Sequence, residues 1–285
     1  MIKRILFFIF FMPLSVDIVA DRDSDHEADT DRFGTKYGWC APSKKYGHHA
    51  IIVDTTEGFS EAQYSLLQNQ ILNDASMTDI PPYDKITIIN ITGKDVQATQ
   101  TEPIFSKCRP RSGQEKSQFE LDHSTFFGMP ESMMKQMMAF FNDGLANARA
   151  EFSGLQDSTG DYSQIMEQIK ELSRIKEIDF SNEYEYRKLI IFSDLMQFSK
   201  NVNLISSCRD RKKCITWDNF KNDPSNRMKV KNMMPRFGEN PPEVFVYYLQ
   251  CKHDKNLNIG LLEFWDGYFT DAGIDWDYDT ETSCN

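Results

Sequence analysis

The stretch HHAIIVDTTEGFSEAQYSLLQNQI, residues 48–71, carries an apolar run, a polar turn and a helical pattern in direct succession. The β-branched apolar run Ala50–Asp54 predicts a short buried strand. Ser60 is placed to cap the helix that follows, with Gln63 at the reciprocal position of a capping box. Large apolar residues then recur at helical spacing through Leu72. A strand that passes directly into a helix is typical of βαβ units.

The same alternation continues along the chain and indicates the fold class. Because strands alternate with helices, we predict a doubly wound, mainly parallel sheet in a Rossmann-type three-layer α/β fold. Right-handed crossovers would bring the carboxyl ends of the first and fourth strands to one edge of that sheet. Further strands are expected at 85–92, at the sheet edge within 102–113, at 188–193 and at 244–249, and helices at 130–152, 165–172 and 257–272.

The N-terminus, residues 1–20, has the pattern of an export signal. Lys3 and Arg4 precede the apolar run Ile5–Val16, which is shorter than the roughly 20 residues that a spanning helix needs. This pattern favours a secretory signal peptide and a periplasmic or secreted protein. Ile18 is larger than the residue expected two positions before a cleavage site, so retention of the segment as an inner-membrane anchor stays the alternative.

Composition and charge divide the rest of the chain. Residues 21–46 read as an acidic linker and loop, residues 47–273 as one folded domain, and residues 274–285 as a loose acidic tail. The net charge of -11 argues against nucleic acid as a partner, because nucleic-acid binding requires a basic face. Residues 206–232 are locally basic, which indicates either a solvated face or a docking patch for an acidic partner or an anionic membrane surface.

The cysteine content agrees with export. An even number of cysteines, six, follows the apolar segment, and this suits disulfide formation in an oxidising compartment. The sequence alone leaves their connectivity open. Cys208 and Cys214 bracket a short basic segment, and pairing them would close a small loop.

Three polar segments follow predicted strands or precede a predicted helix at the same edge of the sheet. In a doubly wound sheet such loops converge at one crevice, where ligands bind. Carboxylate and hydroxyl oxygens are hard ligands that suit Mg²⁺ or Mn²⁺. The three segments are Asp54, Thr55 and Thr56 after the first strand, Ser158 and Thr159 before a helix, and Asp194 after the fourth strand.

These segments resemble the metal site of the von Willebrand factor A (vWA) fold. The stretches IIVDTTEG, STGDYSQIMEQI and LIIFSDL look like the segments that carry its Asp-x-Ser-x-Ser motif, a threonine and an aspartate. Gly58 stands where the second serine of the motif is expected, so one hydroxyl ligand is missing. Glu57 is either a replacement for that ligand or a solvated side chain. The resemblance implies metal ligands at Asp54, Thr56, Thr159 (with Ser158 as a neighbouring alternative) and Asp194.

The chain is also similar to a group of bacterial vWA-like proteins over most of residues 50–273. The similarity runs through VDTTEGFS, FSKCRP, LIIFSDLMQFS and LEFWDGYFTDAG. It implies an adhesion or protein-binding module in which bound Mg²⁺ or Mn²⁺ takes an acidic side chain from a protein partner. The similarity implies no particular reaction. In such a site the aspartates would supply negative charge around the ion, and the hydroxyls would be neutral ligands.

Other functions are supported less well by the residues. A phosphatase-like hydrolase would use Asp54 as its nucleophile, but Thr56 stands where such enzymes have a second aspartate, so no general acid is in place. A structural part of an envelope or transfer assembly, without a working metal site, is the other alternative. His48 and His49 precede the first predicted strand, at the opposite sheet edge from Asp54, and we expect them to be a surface pair.

Overall fold

Six strands of the described part of the chain form one sheet in the order β3-β2-β1-β4-β5-β6. The computed structural model describes residues 46–73, 79–93, 102–110, 131–153, 160–172, 174–175, 178, 180, 184–210, 214–250 and 255–283. The strands are β1 Gly47–Asp54, β2 Lys85–Ile91, β3 Phe105–Cys108, β4 Tyr186–Ser193, β5 Glu243–Gln250 and β6 Trp276–Ser283.

The pairing of these strands confirms the predicted fold class. β1 lies between β2 and β4 and is parallel to both. β5 is parallel to β4 and to β6, whereas β3 is antiparallel to β2 and forms the edge expected within 102–113. The sheet is therefore mixed but mostly parallel, in a three-layer Rossmann-like α/β fold. The strand order reverses between β1 and β4, the kind of switch point at which such folds bind ligands.

Helices cover both faces of the sheet. The α-helices are α1 Glu61–Leu66, α2 Glu131–Glu151, α3 Ile165–Glu171, α4 Trp217–Asn222, α5 Arg227–Met233 and α6 Lys255–Asp271. α1 continues as the π-helical segment Leu67–Ile71, a second π-helical segment is Ile205–Asp210, and Pro224–Asn226 forms one 3₁₀ turn. The capping box predicted for α1 is present: Gln63 N donates to Ser60 Oγ (3.2 Å) and Ser60 N donates to Gln63 Oε1 (2.9 Å).

The core has two parts, one on each side of the sheet. β1 is buried along its whole length, because helices pack on both of its faces and strands in such sheets are continuously apolar. Its side chains alternate between the faces. Ile51 belongs to the cluster that includes Phe141 of α2. Ile52 belongs to the cluster that includes Ile169 of α3 and Trp265 of α6.

The expectation of a loose acidic tail is wrong over Trp276–Ser283, which form the edge strand β6. The Trp276 ring lies 5.1 Å from that of Phe269 on α6, and its indole N–H donates to Asp266 Oδ1 (3.1 Å). Acidic residues alternate with aromatic and hydroxyl residues along this strand. Charged side chains are common on edge strands, where they discourage pairing with other chains. The acidic composition therefore concealed a strand.

The prediction of a surface histidine pair is also wrong. His48 and His49 lie within β1 and are 0% and 7% exposed. His49 Nε2 lies 3.0 Å from Asp84 Oδ2, and Asp84 also accepts hydrogen bonds from Gly47 N (2.8 Å) and the Tyr186 hydroxyl. The pair does lie at the opposite end of β1 from Asp54. Asp84, directly before β2, gives His49 a carboxylate partner, and the Thr87 hydroxyl on β2 lies 2.9 Å from His48 Nε2, so both buried rings have polar partners.

A disulfide joins Cys208 and Cys214, and it closes the short loop considered for this pair. Cys108, the last residue of β3, is also disulfide-bonded. The Cys208–Cys214 disulfide lies beside α6, where Cys214 is next to Gly260, whereas Cys108 lies on the edge strand β3.

Candidate functional site

The carboxyl ends of β1 and β4 meet at the switch point of the sheet. The two strands are parallel neighbours, with Val53 paired to Phe192. Asp54 is the last residue of β1, and Asp194 directly follows β4. Both side chains are buried, at 4% and 8% exposure. The predicted convergence of these two aspartates is therefore present.

Asp54 is the hub of a hydrogen-bond cluster. Its Oδ1 accepts from the backbone N–H of Thr56 (3.1 Å) and from the Thr56 hydroxyl (2.6 Å). Its Oδ2 accepts from the hydroxyls of Ser163 (2.9 Å) and Ser193 (2.8 Å). Hydrogen bonds to an ionised group are among the strong ones. The carboxylate thus ties the loop after β1 to the end of β4 and to the segment before α3.

The turn after β4 fixes Asp194. Met196 N donates to Asp194 Oδ1 (2.9 Å), and Leu195 N donates to the Ser193 hydroxyl (2.9 Å). Leu195 has φ 61°, in the left-handed region that residues with a side chain seldom adopt. Its carbonyl accepts from the indole N–H of Trp265 on α6 (2.9 Å). Two hydrogen bonds within the turn and one from α6 hold this strained conformation in place.

Asp194 also affects the neighbouring strand. Burial, and then the negative charge of Asp194, raise the pKa of the Tyr248 phenol on β5. The carboxylate of Asp194 therefore lies close enough to β5 to influence Tyr248, whereas Asp54 lies at the end of β1.

A small pocket opens between these elements. Its volume is about 10 Å³, close to the space that one water-sized sphere needs. Three of its lining residues are acidic, and the lining that the structure describes contains no lysine, arginine or histidine. The residues that line it are Asp54, Thr56, Glu57, Gly58, Phe59, Gln63, Asp194 and Leu249.

The loop after β4 is fastened to the start of α3. Ser163 and Phe198 form a two-way backbone bridge, with both N–H···O distances at 2.8 Å. Met166 N donates to Gln197 Oε1 (2.9 Å), and Gln197 Nε2 donates to Glu167 Oε2 (2.7 Å). Asn201 Nδ2 donates to the other oxygen of Glu167 (2.7 Å). We call Glu167, Gln197 and Asn201 the carboxamide clamp.

The structure brings together three of the four predicted metal-site residues. Asp54, Thr56 and Asp194 line one pocket, whereas Thr159 and its neighbour Ser158 lie outside the described residues. Thr55 points to β2, because its hydroxyl donates to Asn90 Oδ1 (2.8 Å) and Ile91 O (3.0 Å). Glu57 lines the pocket but is exposed, so both interpretations of this residue stay open.

The segment that follows Thr159 packs against the site. Gly160 N donates to the carbonyl of Thr56 (2.7 Å). A Cβ atom at Gly160 would lie 2.6 Å from the Cα of Gly93, a distance at which backbone would have to shift. A side chain at this position would therefore push the loop away from Thr56.

Sequence reasoning missed two members of the cluster, Ser163 and Ser193. Ser193 offered a usable signal, because it is a polar residue at the end of an apolar strand, directly before Asp194. Ser163 lies within the stretch STGDYSQIMEQI, but its partner Asp54 is 109 residues away along the chain, so no local pattern marked this serine as a member of the cluster. Only the tertiary structure identifies it.

The basic stretch 206–232 is partly neutralised within the molecule. Lys221 Nζ lies 2.7 Å from Asp271 and 3.2 Å from Asp218. Arg227 and Lys231 of α5 are exposed, and Lys229 is half-buried. Met228, between them, is 64% exposed. Among the residues described here, α5 carries the part of the stretch that fits a solvated or docking surface.

Within the described ranges, no three histidine, cysteine, aspartate or glutamate side chains are grouped to hold a metal ion. No helix in the same ranges combines the length and hydropathy that crossing a membrane requires. Neither a scan against protein-family models nor a search of curated proteins finds a match to this chain.

Proposed function

We propose that the chain is an exported vWA-like protein-binding module whose pocket at Asp54 and Asp194 takes a divalent cation, Mg²⁺ or Mn²⁺. The observation that carries this proposal is the pairing of two buried carboxylates in one ion-sized pocket whose described lining has no basic side chain. Two carboxylates in a shared buried site repel each other unless a cation or a proton compensates them. A small divalent ion would supply that compensation.

The donor set fits a hard cation. Asp54 and Asp194 offer carboxylate oxygens and Thr56 offers a hydroxyl, which are ligands typical of Mg²⁺ and Mn²⁺. The vWA resemblance adds Thr159 to this set. Gly58 contributes no side-chain oxygen, so water or a partner's group would complete the shell. When bound, the ion would supply a concentrated positive charge at the pocket mouth.

The protein's own residues would keep the site in shape. Ser163 and Ser193 hold one oxygen of Asp54 by hydrogen bonds, and the turn at Leu195 orients Asp194. Exposed Glu57 beside the mouth would bias the pocket toward cations. A partner with an acidic side chain would be attracted only when the cation is present, which makes binding metal-dependent.

One observation favours a second function, that of a structural part of an assembly without a metal. Thr56, Ser163 and Ser193 together already direct four hydrogen bonds to Asp54. A carboxylate so fully hydrogen-bonded can serve as an internal cross-link of three chain segments. In this alternative the pocket is a remnant, and partner binding is independent of divalent ions.

Thermal unfolding of the chain in Mg²⁺, Mn²⁺ or EDTA distinguishes the two functions. An ion at about 100 times its dissociation constant adds about 2.7 kcal/mol to the free energy of unfolding, or roughly 5–10 °C in Tm for a domain of this size. We expect this rise in the wild type and its loss in Asp194→Asn, which keeps the side-chain shape. Asp277→Asn, which removes an exposed carboxylate of β6, is the matched control and should keep the full rise.

Two results of this experiment would contradict the proposed cation site. A rise that survives in Asp194→Asn would move the ion elsewhere on the protein and overturn the assignment. No rise in the wild type at millimolar ion, with a stable partner co-purifying in EDTA, would favour the metal-independent function.

A further inference from the structure

The carboxamide clamp connects two segments that both reach the pocket. Gln197 lies three residues after Asp194, and Glu167 lies four residues after Ser163, which holds Asp54. Gln197 is fully buried and Glu167 is 9% exposed. The position of Asp194 relative to Asp54 therefore depends on how firmly the loop after β4 is held against α3.

The clamp has a fixed direction of hydrogen bonding. Gln197 accepts from Met166 N through its oxygen and donates to Glu167 through its nitrogen. Glu167, as a carboxylate, accepts from both Gln197 and Asn201. A carboxylate provides acceptors only, whereas a carboxamide provides one acceptor group and one donor group. Replacing either partner alone therefore sets donor against donor or acceptor against acceptor.

We infer that Glu167 and Gln197 are positioning residues that set the separation of Asp54 and Asp194, and with it the cation affinity of the pocket. This inference rests on the proposed function for its readout of metal binding. Its geometric part, the fastening of the Asp194 turn to α3, can be measured without metal.

Exchanging the two side chains tests the inference. Glu167→Gln alone leaves one acceptor oxygen for two donors, Gln197 Nε2 and Asn201 Nδ2, so one of them faces an NH₂ group. Gln197→Glu alone brings two carboxylates into contact. In the double variant E167Q/Q197E, the new carboxylate at 197 accepts from Met166 N and from the new amide at 167. The oxygen of that new amide still accepts from Asn201. Every hydrogen bond of the clamp is therefore remade, and the negative charge moves from residue 167 to residue 197.

The first measurement is the Mg²⁺-dependent rise in Tm of the full chain, for the wild type and these variants. Glu171→Gln is the matched control, because Glu171 is a buried carboxylate of the same helix that bonds Arg174 and lies outside the clamp. We expect both single variants to lose most of the metal-dependent rise, the double variant to regain it and the control to keep it. Single variants that unfold at lower temperature without metal but keep the full rise would show a structural role only and would overturn the inference.

The second measurement is hydrogen exchange at the amides of Met196 and Phe198 in EDTA. Loss of a buried hydrogen bond to a charged group should speed local opening about tenfold or more, and the double variant should restore protection. If the wild type shows no metal response but exchange follows this pattern, the proposed function fails while the positioning role stands. If exchange at these amides is unchanged in both single variants, the positioning role is refuted whatever the metal response.

Discussion

Replacing Asp54 tests whether its hydrogen bonds hold the switch-point loops together. Asp54→Ala removes the acceptor of the Ser163 and Ser193 hydroxyls, which are 4% and 0% exposed. Leaving a buried donor without an acceptor costs about 1–3 kcal/mol, so two of them cost about 2–6 kcal/mol. At roughly 2–4 °C per kcal/mol for a domain of this size, a loss of about 4 kcal/mol lowers Tm by roughly 8–16 °C.

Asp54→Asn is the informative comparison for this prediction. The amide keeps the shape of the side chain and one acceptor oxygen for Thr56. Its NH₂ group can donate to the two serine hydroxyls, which are able to accept as well as donate. Replacing the carboxylate by an amide also removes the charge repulsion between positions 54 and 194. We therefore expect Asp54→Asn to stay within about 1 kcal/mol of the wild type in EDTA.

Urea unfolding in EDTA, followed by circular dichroism, measures both variants, and the slope with denaturant checks that the unfolded states are comparable. Equal stability of the alanine and asparagine variants would refute the reasoning, because the cluster would then contribute nothing through its hydrogen bonds. A double-mutant cycle with Ser163→Ala adds a second check, since residues that bond each other should give non-additive losses.

Three further predictions concern other parts of the fold. Asp84→Ala should lower the free energy of unfolding by about 2–6 kcal/mol, because it leaves the buried His49 ring and the Gly47 N–H without their acceptor, at about 1–3 kcal/mol each; a urea titration that shows less than about 1 kcal/mol would contradict this. Ending the chain after Gly273 should remove β6, expose the edge of β5 and cause aggregation in size-exclusion chromatography, whereas a monomeric, folded product would show that β6 is dispensable. Burial raises the pKa of the Tyr248 and Tyr268 phenols, so each favours the folded state fully below a pH of about 10 and loses that contribution as pH rises further. The free energy of unfolding should therefore fall above pH 10 by up to about 1.4 kcal/mol per pH unit for each tyrosine, and Tyr248→Phe should flatten the slope in urea titrations across this range.

The alternation of β1, α1 and β2 could be predicted because each element is encoded by neighbouring residues. The β-branched run of β1 and the capping box at Ser60 operate over a few positions, so a linear pattern suffices to find them. The same holds for Asp54 and Asp194, since a polar residue directly after an apolar strand marks the carboxyl edge of a parallel sheet. Strand direction then brought the two aspartates together, as the right-handed crossover rule requires.

Other features were decided by contacts that leave no local pattern. β6 reads as an acidic tail until β5 is present beside it, because its stability comes from pairing and from Trp276 packing on α6. The histidines of β1 look like surface residues in the sequence, because their polar partners, Thr87 on β2 and Asp84 directly before it, are 35 to 39 residues away along the chain.

The site around Asp54 combines features that a local sequence pattern predicts with contacts that depend on tertiary packing. The positions of Asp54 and Asp194 could be predicted from the linear pattern, because both come at the ends of strands whose order and direction obey general rules. The distant groups that bind Asp54 follow from tertiary packing, since Ser163 and Ser193 come from positions 109 and 139 residues away. Hydrogen bonds over such separations depend on how the loops close over the sheet, and that closure is a property of the whole packed chain.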